Sequence, residues 1–343
     1  MAFYSGTKLL SMKDINGLEP EIYICSTNRS AGKTTYWNRY VVNKFLENNE
    51  KFGLLYRFKY ELDDCADKFF KDISTIFFDG MRMTSQKRAK GVYHELFLGD
   101  KSCGYALAIN SADSIKKLSH YFSDITRLLF DEFQSENGEY CPREVTKFKS
   151  VHKSIARGQG QQYRRVPVIM VSNPISLINP YYVEMHISER LNSQVKFLRG
   201  DGYVLEQTYN ESAAQLDMES GFSRAFAGSK YSAYSAQGVY LNDNTAFIEK
   251  PVGKSDYLVT LKHEGREYGV RSFPELGIIY VDNKPDITYP QKISVTTDDH
   301  DVNYVMLKSN DLFLSNLRYY FEHGCCRFKD LKCKEVLLNA IKY

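Results

Sequence analysis

An apolar, β-rich run, Glu21-Ile22-Tyr23-Ile24-Cys25, breaks into Ser26-Thr27-Asn28-Arg29-Ser30-Ala31-Gly32-Lys33-Thr34-Thr35 and then into a stretch with Trp37, Val41 and Phe45 at i, i+4 spacing. Strand, loop and helix in this order are the context that a phosphate-binding loop requires. Backbone N–H groups at the helix N-terminus face the phosphates, the Lys33 ammonium reaches the β- and γ-phosphates, and the Thr34 hydroxyl ligates Mg²⁺. The usual loop carries a first glycine where this chain has Thr27. A bare Gly-Lys followed by Ser or Thr arises by chance in roughly one chain of this length in five, so the loop needs a second element.

That element is Arg127-Leu128-Leu129-Phe130-Asp131-Glu132, an apolar strand ending in two carboxylates. In such a pair the first acid, Asp131, holds the metal site and the second, Glu132, activates the attacking water, although plain turn chemistry or an N-cap gives the same isolated pattern. Two further runs, Phe52-Gly53-Leu54-Leu55-Tyr56 and Val166 to Val171, read as strands with helical patterns between them, which predicts a largely parallel α/β sheet. After the last run comes Ser172-Asn173-Pro174. A polar side chain at the carboxyl end of a parallel strand lies where open α/β sheets bind ligands, so Ser172 or Asn173 is placed to sense the γ-phosphate or to position water; a turn begun by Asn-Pro explains the same residues.

At 343 residues the chain favours two domains. Its 43% hydrophobic and 25% charged residues argue against disorder, collagen and coiled coil. No apolar run approaches the length of a membrane span, and the first residues show no signal peptide. Seven cysteines without CxxC spacing read as reduced thiols. A second helix is expected from Pro142 to Gly158, with Val145, Phe148, Val151 and Ile155 on one face. Between Asp217 and Gly238 about half the residues are Gly, Ala or Ser, the composition of a linker or lid. The expected division is 1–200, a linker or lid over 201–243, and a second α+β domain over 244–343. Short antiparallel strands are expected there at Ala246 to Lys250, Tyr257 to His263, Tyr268 to Phe273, Ile278 to Asp282 and Lys292 to Thr296, followed by a helix from Asp311 to His323.

The net charge of +3 is small, and its distribution says more. From Arg143 to Arg165 there are seven lysines and arginines against one acid, Glu144. Four more cations fall between Arg82 and Lys90 with no acid among them. Clustering of this kind is what contact with a phosphate backbone requires, and Lys147, Lys149, Lys153, Arg164 and Arg165 are the candidates for DNA; a solvated helix face has the same composition. Arg157, at the end of the basic helix, reads equally as a solvated cation, a DNA contact or a finger acting in a neighbouring subunit's site.

These blocks resemble the DNA-packaging ATPases, or encapsidation proteins, of phi-29-like podophages, compact relatives of terminase large subunits. The likeness runs through Arg29 to Thr34, Tyr56-Arg57-Phe58-Lys59-Tyr60-Glu61-Leu62, Phe130-Asp131-Glu132-Phe133, Ser172-Asn173-Pro174 through Tyr181, Phe247 to Lys250 and Thr296 to Asp299, in family order. The resemblance implies a P-loop NTPase of the additional-strand, catalytic-glutamate class with a smaller, vestigial RNase H-like nuclease domain. It implies a homo-oligomeric, pentameric ring in the host cytoplasm, transiently at the portal vertex of a prohead, that drives double-stranded DNA inward with ATP and Mg²⁺; whether a packaging RNA bridges it to the portal stays open.

By the same resemblance, Arg29, Ser30, Ala31, Gly32, Lys33, Thr34, Thr35 and Asn173 bind ATP, Thr34 and Asp131 hold the metal, and Glu132 is the base. Arg157 and Lys117 act in trans, with Lys116 an alternative to Lys117. Arg224 and Gly228 match the lid segment. In the second domain the first strand, Tyr257 to Lys262, lacks the carboxylate that two-metal cleavage needs, so Asp282, Asp298, Asp299 and Asp301 are expected in turns and the domain to bind without cutting. The competing readings are a motor with a live nuclease and a nucleotide-switched structural component of the portal.

Overall fold

A computed structural model describes residues 4–158, 160, 162–188, 190–191, 195–226, 240, 243, 246–306 and 311–341. The chain forms two compact units, Met1–Asn242 and Asp243–Tyr343.

In the first unit the order is α1 (Thr7–Ser11), β1 (Ile22–Thr27), α2 (Lys33–Asn48), β2 (Lys51–Tyr56), α3 (Cys65–Phe77), β3 (Met83–Arg88), β4 (Tyr93–Leu98), β5 (Lys101–Ala108), α4 (Ala112–Lys117), β6 (Ile125–Asp131), α5 (Glu144–Ile155), β7 (Val168–Ser172), α6 (Pro180–Glu184), β8 (Phe197–Gly200), β9 (Tyr203–Thr208), α7 (Glu211–Glu219) and α8 (Gly221–Ala225). The strands make one sheet, β3-β4-β5-β2-β6-β7-β1-β9-β8. Its centre, from β5 to β9, is parallel throughout. The antiparallel strands β3, β4 and β8 extend its two edges. Both faces are covered, and side chains alternate between them as a pleated strand demands: on β1, Ile24 enters the core beneath α4 and α5 while Tyr23 and Cys25 pack with α2 and α3. Gly104 is required by close approach, since a Cβ there would stand 2.1 Å from the Phe52 carbonyl oxygen on β2.

Helix α2 presents Trp37, Val41, Val42 and Phe45 to the sheet and ends where Asn49, at φ 57°, turns left-handed and donates back to Lys44 and Phe45. Helix α5 begins at Glu144, two residues later than Pro142, because Arg143 at φ 55° forms the bend before it; it ends at Ile155, short of Gly158. Strand β9 carries the sheet past residue 200, into the stretch expected to be lid. Most of the Gly/Ala/Ser-rich stretch, including Gly228, lies outside the described residues.

The second unit contains β10 (Asp256–His263), β11 (Arg266–Phe273), β12 (Ile278–Asp282), β13 (Lys292–Ser294), β14 (Val305–Met306), α9 (Asp311–Glu322), β15 (Cys326–Phe328) and α10 (Leu331–Ile341). Its sheet, β14-β13-β10-β11-β12-β15, is mixed, which corrects the antiparallel expectation: only β10-β11 and β11-β12 are antiparallel, and the remaining pairs run parallel. Residues 246–250 form no strand, and Ile248 makes a single bridge to Phe328. The core joins Val259, Leu261, Val270 and Val281 of the sheet to Leu314 and Leu317 of α9 and Val336 and Leu337 of α10.

Candidate nucleotide-binding and hydrolysis site

The loop between β1 and α2 turns on two left-handed residues, Ser30 at φ 60° and Gly32 at φ 89°. Thr27, in the place of the missing first glycine, needs no such freedom: it is the last residue of β1 and pairs with Thr208 on β9. Asn28 locks the loop from behind. Its side-chain NH₂ donates to the Asn210 carbonyl at 3.2 Å, and its Oδ1 accepts the Asn210 N–H at 2.8 Å. Sequence reasoning missed this clamp, whose partners lie 182 positions apart.

Lys33, at the first turn of α2, is 7% exposed. Its ammonium donates to the Asn173 side-chain oxygen and to the Asn28 carbonyl at 3.5 Å. The structure therefore brings Asn173, just past β7, onto the loop lysine. Burial pulls the Lys33 pKa below its usual value, while the charge of Asp131 opposes the shift. At the end of β6, Asp131 shares a cleft with Thr34 and accepts the Glu132 N–H at 2.9 Å. Withdrawal from water among these neighbours raises the Asp131 carboxyl above its usual value, against the pull of Thr34 and Lys33.

Glu132 is exposed and left-handed at φ 55°, a conformation that non-glycine residues adopt rarely and mostly where surrounding structure imposes it. Desolvation raises its pKa first, then the charges of Asp131 and Glu136; Arg29 pulls the other way. Arg29 itself is ion-paired to Glu136. Two clefts flank Glu132. One of about 380 Å³ is lined by Thr34, Asn38, Arg57, Glu61 and Asp131; the other, about 390 Å³, by Arg29, Arg57, Glu136, Asn137 and Asn173.

Lys33, Thr34, Asp131, Glu132 and Asn173 thus meet at the carboxyl ends of β1, β6 and β7. Ser30, Ala31, Gly32 and Thr35 flank them in the loop and the first turn of α2. The donor set suits the expected ligands: a buried ammonium and loop backbone N–H groups for phosphates, a hydroxyl and a carboxylate for a hard divalent cation. Arg157 and Lys117 are exposed, each after or at the C-terminal end of a helix, α5 and α4, and neither lines the clefts beside Glu132.

The expected DNA contacts fare unequally. Arg164 donates to the Ile125 and Ile155 carbonyls and Arg165 to that of Pro20, so both guanidiniums tie chain segments together. Lys149 is ion-paired with Glu184. Lys153 is exposed on the outer side of α5, opposite the buried Phe148, Val151 and Ile155, whereas Lys147, one turn before Val151, is half-buried at the edge of that face. In the second unit Asp298 and Asp299 lie in a turn as expected, whereas Asp282 ends β12 rather than lying in a turn, and three of the four expected carboxylates are engaged internally. Asp282 accepts from Arg271 and the Lys284 N–H, Asp299 from the N–H groups of Glu264 and Gly265, and Asp301 from Lys262.

The parallel sheet, the lysine loop and the Asp-Glu strand end define the first unit as a P-loop NTPase domain. The chain belongs to the Podovirus DNA encapsidation protein (Gp16) family, whose profile matches residues 1–342. It is 25% identical over 344 residues to the DNA packaging protein of Bacillus phage phi29, covering 99% of this chain and 97% of that protein. To the DNA packaging protein of Bacillus phage B103 it is 23% identical over 321 residues, 92% of this chain and 93% of that one. Among solved structures, a chain of the bacteriophage Phi-29 viral genome packaging motor assembly superposes with a TM-score of 0.71 at 24% identity, 99% of each chain being covered. The Phi-28 gp11 DNA packaging motor gives 0.62 at 17% identity over 99% of this chain and 98% of that one. Both share the fold end to end. No helix among the described residues is long and apolar enough to cross a membrane.

Proposed function

We propose that this chain is an ATPase that moves double-stranded viral DNA into a preformed prohead, working at the portal vertex in the host cytoplasm as a homo-oligomeric, pentameric ring. The observation that carries the reading is the convergence of Lys33, Thr34, Asp131, Glu132 and Asn173 at one end of the parallel sheet. In this reading the ammonium of Lys33 leaves Asn173 for the β- and γ-phosphates, and the N–H groups of residues 29–34 cradle them. Thr34 and Asp131 hold Mg²⁺, which neutralises charge on the transferring phosphoryl group. Glu132 takes the proton of the attacking water, and Asn173, released by Lys33, hydrogen-bonds the γ-phosphate or that water. Arg157 and Lys117, exposed and outside their own chain's clefts, complete the site of the next subunit.

Lys153 is the best placed of the expected contacts for DNA, since Lys147 is half-buried, Lys149 is paired with Glu184 and Arg164 and Arg165 already serve backbone carbonyls. The second unit binds without cutting, because Asp282 and Asp299 already hold internal donors. Steady-state phosphate release, measured across protein concentration with and without double-stranded DNA, tests the reading. Turnover should rise with assembly and respond to DNA, and added salt should weaken the DNA response. Binding of ATP without phosphate release would favour a nucleotide-switched structural component instead.

A further inference from the structure

Arg57 follows β2 and is buried, 8% exposed, beside the strand end that carries Glu132. Its Nε donates to both oxygens of Glu144, at 3.1 and 3.0 Å, and its Nη2 donates to the carbonyl of Phe133 at 2.7 Å and of Glu132 at 3.4 Å. Glu144 is 3% exposed and also accepts the Tyr181 hydroxyl at 2.8 Å and the Cys141 N–H at 2.9 Å. The guanidinium is further enclosed by the Phe130 and Tyr140 rings, at 5.8 and 5.0 Å. A buried pair of this kind is weak evidence of stabilisation, because desolvating two charges offsets most of their attraction. What the geometry does supply is fixed direction: a planar fork held on one side by a carboxylate donates to the carbonyl of the left-handed Glu132 and to that of the residue after it, Phe133.

We propose that Arg57 is a positioning residue for hydrolysis: clamped by Glu144, it pins the carbonyls of Glu132 and Phe133 and so aims the Glu132 carboxylate into the clefts where water and γ-phosphate meet. The inference rests on the reading of Glu132 as general base. Arg57 borders both clefts, but its Nε and Nη2 are engaged by Glu144 and by the Glu132 and Phe133 carbonyls, so its loss should lower turnover far more than binding. A lysine keeps the charge opposite Glu144 but has no fork to reach the carbonyls at the same time.

Arg57→Lys, Glu144→Gln and Glu132→Gln should be compared with the unsubstituted chain for steady-state hydrolysis and for the affinity of a fluorescent ATP analogue, with circular dichroism as the check on folding. Arg57→Lys should lose about 100-fold in kcat, the scale expected when a reacting group is misplaced by about an ångström, with analogue affinity changed by less than about threefold. Glu144→Gln leaves the shape of the clamp and removes its charge; it should lose about tenfold in kcat on the same pattern and stands as the deciding variant if Arg57→Lys does not fold. A folded Arg57→Lys with undiminished kcat, or one that loses affinity and kcat together, overturns the proposal, as does an undiminished kcat in Glu144→Gln. If Glu132→Gln hydrolyses normally, the assignment of the base fails, which is a separate result from Glu132→Gln inactive and Arg57→Lys fully active, where only the positioning role fails.

Discussion

Glu132 must be ionised to accept a proton from water, and its surroundings resist that. Desolvation, Asp131 and Glu136 all raise its pKa. For a base the consequence is a fall in kcat as pH drops through that raised value, so the acid limb of the pH–rate profile should lie above the ordinary glutamate value of about 4.3. Glu136→Gln removes one of the like charges and releases Arg29 from its ion pair, and both changes favour the ionised carboxylate. The acid limb should therefore move to lower pH in Glu136→Gln; a limb that stays put or moves up would show that another group sets it. Lys33, Thr34, Asp131 and Glu132 were legible at this scale because loop and strand-end chemistry depends on residue types at fixed local spacing. Asn28, Arg57 and Glu144 were not. Arg57 and Glu144 are 87 positions apart, and Glu144 reads in the sequence only as the single acid of a basic stretch.

Element by element, apolar patterning located what is buried on a regular period. Trp37, at 0% exposure, and Phe45 anchor α2 on the sheet directly behind the phosphate loop. Trp37→Ala should cost about 3–5 kcal/mol of unfolding free energy by the cavity it opens, whereas Phe222→Ala, at a position 75% exposed, should stay within about 0.5 kcal/mol; denaturant titration of both variants checks the contrast. The elements that escaped lacked a period to find. Strand β3 reads Met-Thr-Ser-Gln-Lys-Arg, an edge strand whose Lys87 pairs with Asp63 and Arg88 with Glu95, where charge counting predicts a phosphate contact. Helix α10 interrupts its apolar face with Lys332 and Lys334, both buried. Lys332 is neutralised by Glu264 and Glu335, and Lys334 donates to the Ala246 carbonyl. Strand β15 is three residues long, and its parallel pairing with β12 depends on a crossover that local pattern does not encode.

For the molecule as a whole, membership of the DNA encapsidation family and the end-to-end likeness of fold fit the proposed ATPase, whose candidate site lies at the first unit's sheet. Charge density marked α5 correctly as basic, but it does not distinguish a guanidinium free for phosphate from one that closes a backbone carbonyl, as Arg164 and Arg165 do. The central claim is that Lys33 grips the triphosphate and Glu132 destroys it. Single-turnover hydrolysis in Glu132→Gln, with bound nucleotide recovered and analysed, tests this most directly. The account predicts ATP retained uncleaved at near-normal affinity, and Lys33→Ala failing to retain it at all. Phosphate released from Glu132→Gln at the unsubstituted rate would contradict it.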